Sequence, residues 1–267
     1  MKPRTFIKAV RRALGPPDPV RRSAAFEVVR HPSAAPTAPS LRLMSFNIQG
    51  GHVAPPEALA DFVGDHAPDV LALQEVDRGV PRSGGAHQAR VMAERLGMSF
   101  AFAGTLRVEG GDYGIALLSR WPLLQVARHD LVVPYTSEPR AVIEARVQGP
   151  TGPLHVLATH ADFLPWSAAA HGRALARRAA PLSGQRLVVM GDLNAGPGMA
   201  GPRAMVQAGL HDAVGGFDDG PTFVDPPRLR VDYILLDPPL AAGLQGGRRI
   251  MEVMSDHYPV VADVDLT

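Results

Sequence analysis

"RLVVMGDLNAGPG", residues 186–198, sets an apolar run, Leu187 to Met190, directly against Gly191, Asp192, Leu193 and Asn194. A continuous apolar run of that length is what a strand buried on both faces looks like. A carboxylate and a carboxamide at its tip are not what a core strand needs. In extended backbone Asp192 and Asn194 project to the same side of the chain. Two readings stand. The pair is a ligand set presented by a rigid strand, or it is loop punctuation, because Gly, Asp, Asn and Pro favour turns and Asx side chains bond nearby amides.

The same ending recurs along the chain. In LRLMSFN (41–47) alternation puts Leu41, Leu43, Ser45 and Asn47 on one face. In LALQE (71–75) it groups Leu71 and Leu73 with Glu75, LATH (157–160) ends in His160, and VMSDHYPVV (253–261) sets Asp256 and His257 before another apolar run. One polar tip is merely where a strand leaves the core. Several acids, amides and histidines at strand ends imply a shared, polar-lined mouth. Oxygen donors without cysteine favour a hard cation, Mg²⁺ first with Mn²⁺ as substitute, over zinc, for which no HExxH pair is present.

The whole chain bounds these readings. Its 267 residues are 46% hydrophobic and 20% charged, which suits a substantial core and excludes a disordered chain. The absence of cysteine excludes disulfides, thiolate metal sites and cysteine nucleophiles. No stretch reaches the length of a membrane-spanning helix and the N-terminus lacks the apolar core of a signal peptide, so a soluble, cytoplasmic protein is expected, without an integral membrane segment. Residues 1–40 hold eight Lys or Arg against two acids, whereas residues 41–267 hold nineteen against twenty-four. The basic character belongs to the leader. There Phe6, Val10 and Leu14 share a helical face, with Ile7 nearby and Lys8, Arg11 and Arg12 off it. That pattern suits a flexible or domain-packed extension or, alternatively, peripheral contact with an anionic membrane. HPSAAPTAPS (31–40) reads as a Pro-rich linker, which places the domain boundary near Leu41.

Beyond the linker, strand-like segments at 41–48, 69–76, 113–120, 141–147, 153–160, 186–192, 231–236 and 258–266 mix with helical candidates at 56–66, 86–97, 167–180 and 201–209. A layered α/β or α+β domain is expected. His52, His66, His87, His129 and His171 end no core strand and are read as surface or loop residues.

In order and spacing, MSFNIQG, DVLALQEVD, DYGIALLSRWP, EPRAVIEARV, HVLATH, VVMGDLNAGPG, PTFVD with RVDYILL, and SDHYPVVADV resemble the successive motifs of the endonuclease/exonuclease/phosphatase superfamily, the DNase I-like fold. The resemblance spans 41–267, which it makes the catalytic domain. It implies a four-layered α/β sandwich of two packed mixed β-sheets flanked by helices, with the active site at one rim. It places Asn47, Glu75 and Asp256 at a metal site. Asp192 and Asn194 match the pair that positions the attacking water, and they also match ligands for a second ion. His257 matches the catalytic histidine, Asp232 the acid that orients it, and His160 a second histidine that meets the phosphate or leaving group. Tyr113 matches a phosphate-contacting position, and Glu138 with Arg140 a supporting rim pair. Whether His257 or Asp192 removes the water proton stays open at this level.

The implied activity is metal-assisted, in-line attack of water on a phosphoester. The acidic balance of 41–267 favours a small phosphoester or phospholipid head group, since a duplex-binding face is ordinarily basic. Nucleic-acid phosphodiesters, cleaved by an endonuclease or exonuclease, are the alternative substrate, and a non-catalytic binding module of the same fold is a third reading. A monomer is expected.

Overall fold

The computed structural model describes residues 21–31, 38–133 and 135–267. The strands are β1 (Phe26–Val29), β2 (Ser40–Asn47), β3 (Val70–Arg78), β4 (Ser99–Val108), β5 (Gly111–Ser119), β6 (Leu123–Leu131), β7 (Arg140–Gly149), β8 (Gly152–His160), β9 (Leu187–Asp192), β10 (His211–Asp212), β11 (Asp232–Leu236), β12 (Leu244–Arg249) and β13 (Val260–Asp265). The helices are α1 (Pro56–His66), α2 (Gln88–Leu96), α3 (Pro165–Ala179), α4 (Ala200–Gln207) and the single turn α5 (Pro238–Ala241). Proline opens α1 and α3 at the position where its missing N–H costs nothing.

One sheet runs β1-β4-β5-β3-β2-β13-β12 and the other β10-β11-β9-β8-β7-β6. Each is mixed, with a parallel pair, β2 with β3 and β8 with β9, among antiparallel neighbours. Period-two alternation sorts the side chains into layers. Leu43, Ala72, Leu117, Val156, Met190 and Ile234 meet between the sheets. Phe46, Leu73 and Phe100 face α1 and α2 on one outer side, while Leu157, Val189 and Leu235 face α3 and α4 on the other. The architecture is therefore helix, sheet, sheet, helix, the DNase I-like sandwich.

Two expectations about this framework need correction. β1 lies before the boundary read near Leu41 and pairs antiparallel with β4, Phe26 opposite Ala103, so the first sheet reaches back into the segment read as extension and linker. Its four residues are too few to show a pattern against the prolines that follow. The basic leader helix at residues 1–20 and the Pro-rich stretch at 32–37 lie outside the described residues. His171 is on α3 and buried, where its Nδ1 accepts from the Asp162 amide at 3.2 Å.

The inward faces converge at one edge of the sandwich. Asn47 ends β2 in line with Leu41 and Leu43, and His160, Asp192 and Asp232 continue the inter-sheet rows of β8, β9 and β11. Register sets these last three side by side, with His160 opposite Asp192 and Asp192 opposite Asp232.

Candidate active site

Glu75 reaches this edge by a route that simple alternation does not give. Leu71 and Leu73 face the outer helices, so a regular strand would send Glu75 there too. Instead β3 carries a bulge between Gln74 and Val76, with Glu75 at φ 58°. A bulge re-aims a side chain, and its left-handed residue is a local strain that packing must hold. Glu75 is thereby turned inward, and its Oε1 accepts from Asn47 Nδ2 at 3.1 Å.

Asn47 is the hub. Fully buried, it also donates to Asp192 Oδ2 at 3.1 Å, while its Oδ1 accepts the Gln49 amide at 3.1 Å. Gln49 in turn donates through Nε2 to Asp256 Oδ2 at 2.7 Å. Sequence reasoning missed Gln49. Its signal was the spacing in FNIQGG, a polar group two residues past Asn47, before glycines that sustain the left-handed turn it begins. Burial raises the pKa values of Glu75 and Asp256 above the usual carboxylate range, and Asp256's charge adds to the rise at Glu75. Facing carboxylates in a partly desolvated site demand a cation or a proton.

Asp192 and Asn194 satisfy both readings of their stretch at once. Asn194 lies at φ 49°, so the strand stops before it and the pair is not an extended i, i+2 couple. Asp192 Oδ1 accepts the Asn194 amide at 2.7 Å, an Asx turn, which leaves both side chains on the cleft. Gly191 is required here. At φ 149° it lets β9 approach β8 so closely that a Cβ would stand 2.0 Å from the Thr159 carbonyl oxygen. Burial, then the adjacent Asp232 charge, raises the Asp192 pKa above its ordinary value.

His257 Nδ1 donates to Asp232 Oδ2 at 2.8 Å, which turns Nε2 toward Asp192 Oδ2, 3.8 Å away. Burial alone would lower this imidazole, but the charge and hydrogen bond of Asp232, with Asp192 and Asp256 behind, carry it up to about 10. His160 is its opposite. Burial first, and Arg140 second, push it well below the ordinary histidine value, so it is neutral. Arg140 Nη1 lies 3.1 Å from His160 Nδ1, and a guanidinium only donates. The His160 proton therefore sits on Nε2, which faces the cleft 3.5 Å from Asp192 Oδ2 and 3.1 Å from Asn194 Nδ2.

Arg140 is itself buried and held by Glu138 at 3.5 Å and by the Tyr113 hydroxyl. Burial and Glu75 keep that phenol's pKa well above the usual tyrosine value, so it stays protonated. Behind Arg140, Asp162 takes hydrogen bonds from Thr136 Oγ1 at 2.8 Å and from the amide and hydroxyl of Ser137. Ile115, two residues beyond Tyr113 on β5, is part of the inter-sheet apolar core.

These groups line a cleft of about 640 Å³ that includes Glu75, Tyr113, Glu138, Arg140, His160, Asp192, Asn194, Asp256 and His257. Asn47 and Asp232 stand behind it, each bonded to a lining residue. The structure thus brings together all the residues singled out from sequence. Two seats for a cation are geometrically available. Asp192, Asp232 and His257 each offer a ligand atom within 4.8 Å of one another. That set already contains an ion pair, Asp232 with the cationic His257, and a buried Asp232 Oδ1 without a hydrogen-bond partner. The Glu75 and Asp256 carboxylates carry unbalanced negative charge and fit a hard divalent ion better, with Asn47 joining them through its Oδ1, which here accepts the Gln49 amide.

A model of the "Endonuclease/Exonuclease/phosphatase family" matches residues 44–257. The Escherichia coli (strain K12) "Uncharacterized protein YbhP" is 28% identical over 258 residues, which cover 85% of this chain and 97% of that protein. The solved endonuclease/exonuclease/phosphatase from Beutenbergia cavernae DSM 12333 superposes with a TM-score of 0.70 at 24% identity, over 85% of this chain and 72% of that one. A 3'-5' exonuclease (NExo) from Neisseria meningitidis superposes with a TM-score of 0.65 at 21% identity, over 84% of this chain and 100% of that one.

Proposed function

This chain belongs to the endonuclease/exonuclease/phosphatase family, whose members hydrolyse phosphoester bonds, and from that premise we propose a Mg²⁺-dependent hydrolase of small phosphoesters or phospholipid head groups. The observation that carries the substrate reading is the charge of the cleft. Arg82 and Arg140 are the cationic residues named in its lining besides histidine, and each is paired with a carboxylate, Asp77 and Glu138. A groove that tracks a nucleic-acid backbone relies on a run of cations, whereas two isolated arginines suit a compact anion. The apolar side chains Leu106, Val108, Phe163, Phe223 and Leu229 share the lining, which suits a substrate with a compact charged end.

Glu75, Asp256 and Asn47 would hold the ion, with Gln49 fixing Asp256. A divalent cation there supplies positive charge to the scissile phosphate and the departing oxygen. The protein groups do the rest. His160 Nε2–H and Asn194 Nδ2–H are donors 3.1 Å apart, and a phosphoryl oxygen beside them would accept from both. Asp192, whose pKa is raised toward neutrality, takes the proton from the attacking water. The cationic His257, oriented by Asp232, stabilises charge on the phosphoryl group as the bond to the leaving oxygen breaks. Tyr113 and Arg140 hold the wall behind His160.

The test is a substrate panel comprising a chromogenic phosphate diester and monoester, phospholipids and supercoiled plasmid, each with Mg²⁺, with Mn²⁺ and with chelator. Metal-dependent turnover of the small esters or lipids, lost in Asp192→Asn, is expected. Plasmid nicking without small-ester turnover would transfer the reading to a nuclease, and turnover indifferent to chelator would end the metal assignment. The chain is further proposed to act as a cytoplasmic monomer. Among the described residues no helix is long and apolar enough to cross a membrane.

A further inference from the structure

Arg82 occupies the wall of the cleft formed by β3, β4 and β5, on the short 3-10 turn Pro81–Ser83. Its guanidinium is held in a fork. Nε and Nη2 each donate to one oxygen of Asp77 at 2.9 Å, and Asp77 is fully buried. The support beneath is equally fixed. The Asp77 amide donates to Gln88 Oε1 at 2.8 Å, and Gln88 Nε2 donates to the Gly50 carbonyl at 2.7 Å. Gly51 cannot become larger at this point, because a Cβ would stand 2.5 Å from Gln88 Nε2. From above, the Arg82 guanidinium lies 5.5 Å from the centre of the Tyr113 ring, and Tyr113 carries the contact onward to Arg140 and His160.

An arginine that only neutralised Asp77 would need neither the cleft nor the aromatic face. Arg82 keeps 39% of its side chain exposed, lines the same cleft as Glu75 and Tyr113, and has no hydrogen-bond partner for Nη1 among the described residues. Its orientation is fixed before any ligand arrives, so little side-chain entropy is lost when Nη1 and the outer N–H of Nη2 bond an anion. Leu106, opposite Tyr113 in the β4–β5 ladder, and Val108 line the cleft with it.

We infer that Arg82 forms a second anion subsite, which selects substrates bearing a phosphate or carboxylate group in addition to the scissile phosphoester. This rests on the phosphoester reading above and narrows its substrate class. A doubly charged substrate would place its reacting phosphate against His160 and Asn194 and its second oxyanion against Arg82.

Binding separates the two readings without requiring turnover. Calorimetric titrations in Mg²⁺ would compare methylphosphonate, α,ω-alkanebisphosphonates with spacers of increasing length, and ω-phosphonocarboxylates of matched length. The wild-type protein should bind the best-fitting bisphosphonate or phosphonocarboxylate about 10- to 100-fold more tightly than methylphosphonate. The stronger of the two series identifies the second group as phosphate or carboxylate. In Arg82→Gln the preference should collapse while methylphosphonate affinity stays. The double variant Asp77→Asn/Arg82→Gln, which leaves no buried unpaired carboxylate, should behave alike and guards against misfolding of the single one. A wild-type preference near unity, a preference retained in either folded variant, or an equal loss for all probes would each overturn the subsite. Wild-type protein that binds no phosphonate at all, and hydrolyses no phosphoester, overturns the parent reading and the subsite with it. Methylphosphonate binding without a spacer preference overturns the subsite alone.

Discussion

Asp232→Asn isolates the buried carboxylate that holds His257 cationic. The substitution keeps the shape of a side chain whose Oδ2 is 2.8 Å from His257 Nδ1 and removes its charge. Opposite charges centred about 4 Å apart attract by about 4 kcal/mol at the effective dielectric of a protein site, or about 3 pH units. His257 should then fall from about 10 in the metal-free protein to roughly 7, with Asp192 and Asp256 holding it near the ordinary value against burial. The sign of the stability effect follows. A histidine raised on folding contributes stability that is complete below its unfolded value of about 6.5 and is lost as pH climbs through the folded value. The variant should therefore be most destabilised relative to wild type near pH 6 and approach it near pH 10. At pH 8 about a tenth of the variant's His257 would stay cationic, so kcat/KM should drop about tenfold there and its alkaline limb should move down in pH. Imidazole NMR titration in chelator, with pH–rate profiles in Mg²⁺, measures both. A wild-type His257 that titrates below 7, or a variant that titrates like wild type, would refute the dyad.

Gly191→Ala should lower Tm by roughly 5–10 °C, because the new Cβ meets the Thr159 carbonyl oxygen at 2.0 Å. A scanning-calorimetry shift of under a degree would show that β8 and β9 separate freely. Glu75→Gln should weaken Mg²⁺ binding at least about tenfold by calorimetry, yet leave the metal-free protein as stable as wild type or more so at pH 8, because it removes a buried carboxylate facing Asp256. Loss of metal-free stability would mean that Glu75 is chiefly a structural partner of Asn47. His171, buried and depressed to about 4, stays neutral in the folded state, whereas the unfolded chain binds its proton near 6.5. Stability present above pH 6.5 should fall by about 3 kcal/mol as pH drops to 4, and His171→Asn, whose Oδ1 replaces the Nδ1 acceptor, should flatten the urea-denaturation profile by that amount.

What the sequence disclosed about the fold follows burial. The eight strands read from hydrophobic pattern, β2, β3, β5, β7, β8, β9, β11 and β13, are interior strands of the two sheets. The four sheet edges, β1, β6, β10 and β12, went unread, and for one reason. An edge strand is covered on fewer sides and can carry polar and small residues, as β6 does in LLQVARHDL and β12 in LQGGRR. β4 is the single interior strand missed. Its Ala101 and Ala103 face the other sheet and Phe100 and Phe102 face the helices, so apolar residues on both faces erase the alternation. The domain boundary was set late for the same cause, since β1 is an edge of only four residues.

The site divides along a different line, between regular backbone and departures from it. Asn47, His160, Asp192 and Asp232 extend inward rows of ordinary strands, so apolar alternation foretells their direction and the inter-sheet core fixes their position. Glu75, Asn194 and Gln49 are aimed by left-handed residues at φ 58°, 49° and 51°, and no periodic pattern foretells those. Alternation groups Glu75 with Leu71 and Leu73, and the bulge reverses that face. Gln49 was overlooked because it belongs to no strand. Such strain persists only where the surroundings hold it, and here each strained residue is pinned through its side chain or its amide to a neighbour in the same cluster: Glu75 to Asn47, Gln49 to Asn47 and Asp256, Asn194 to Asp192. The strained set therefore depends on the regular one. Asn47 bonds members of both, so the placement of the carboxylates rests on one buried amide that the core of β2 holds in line.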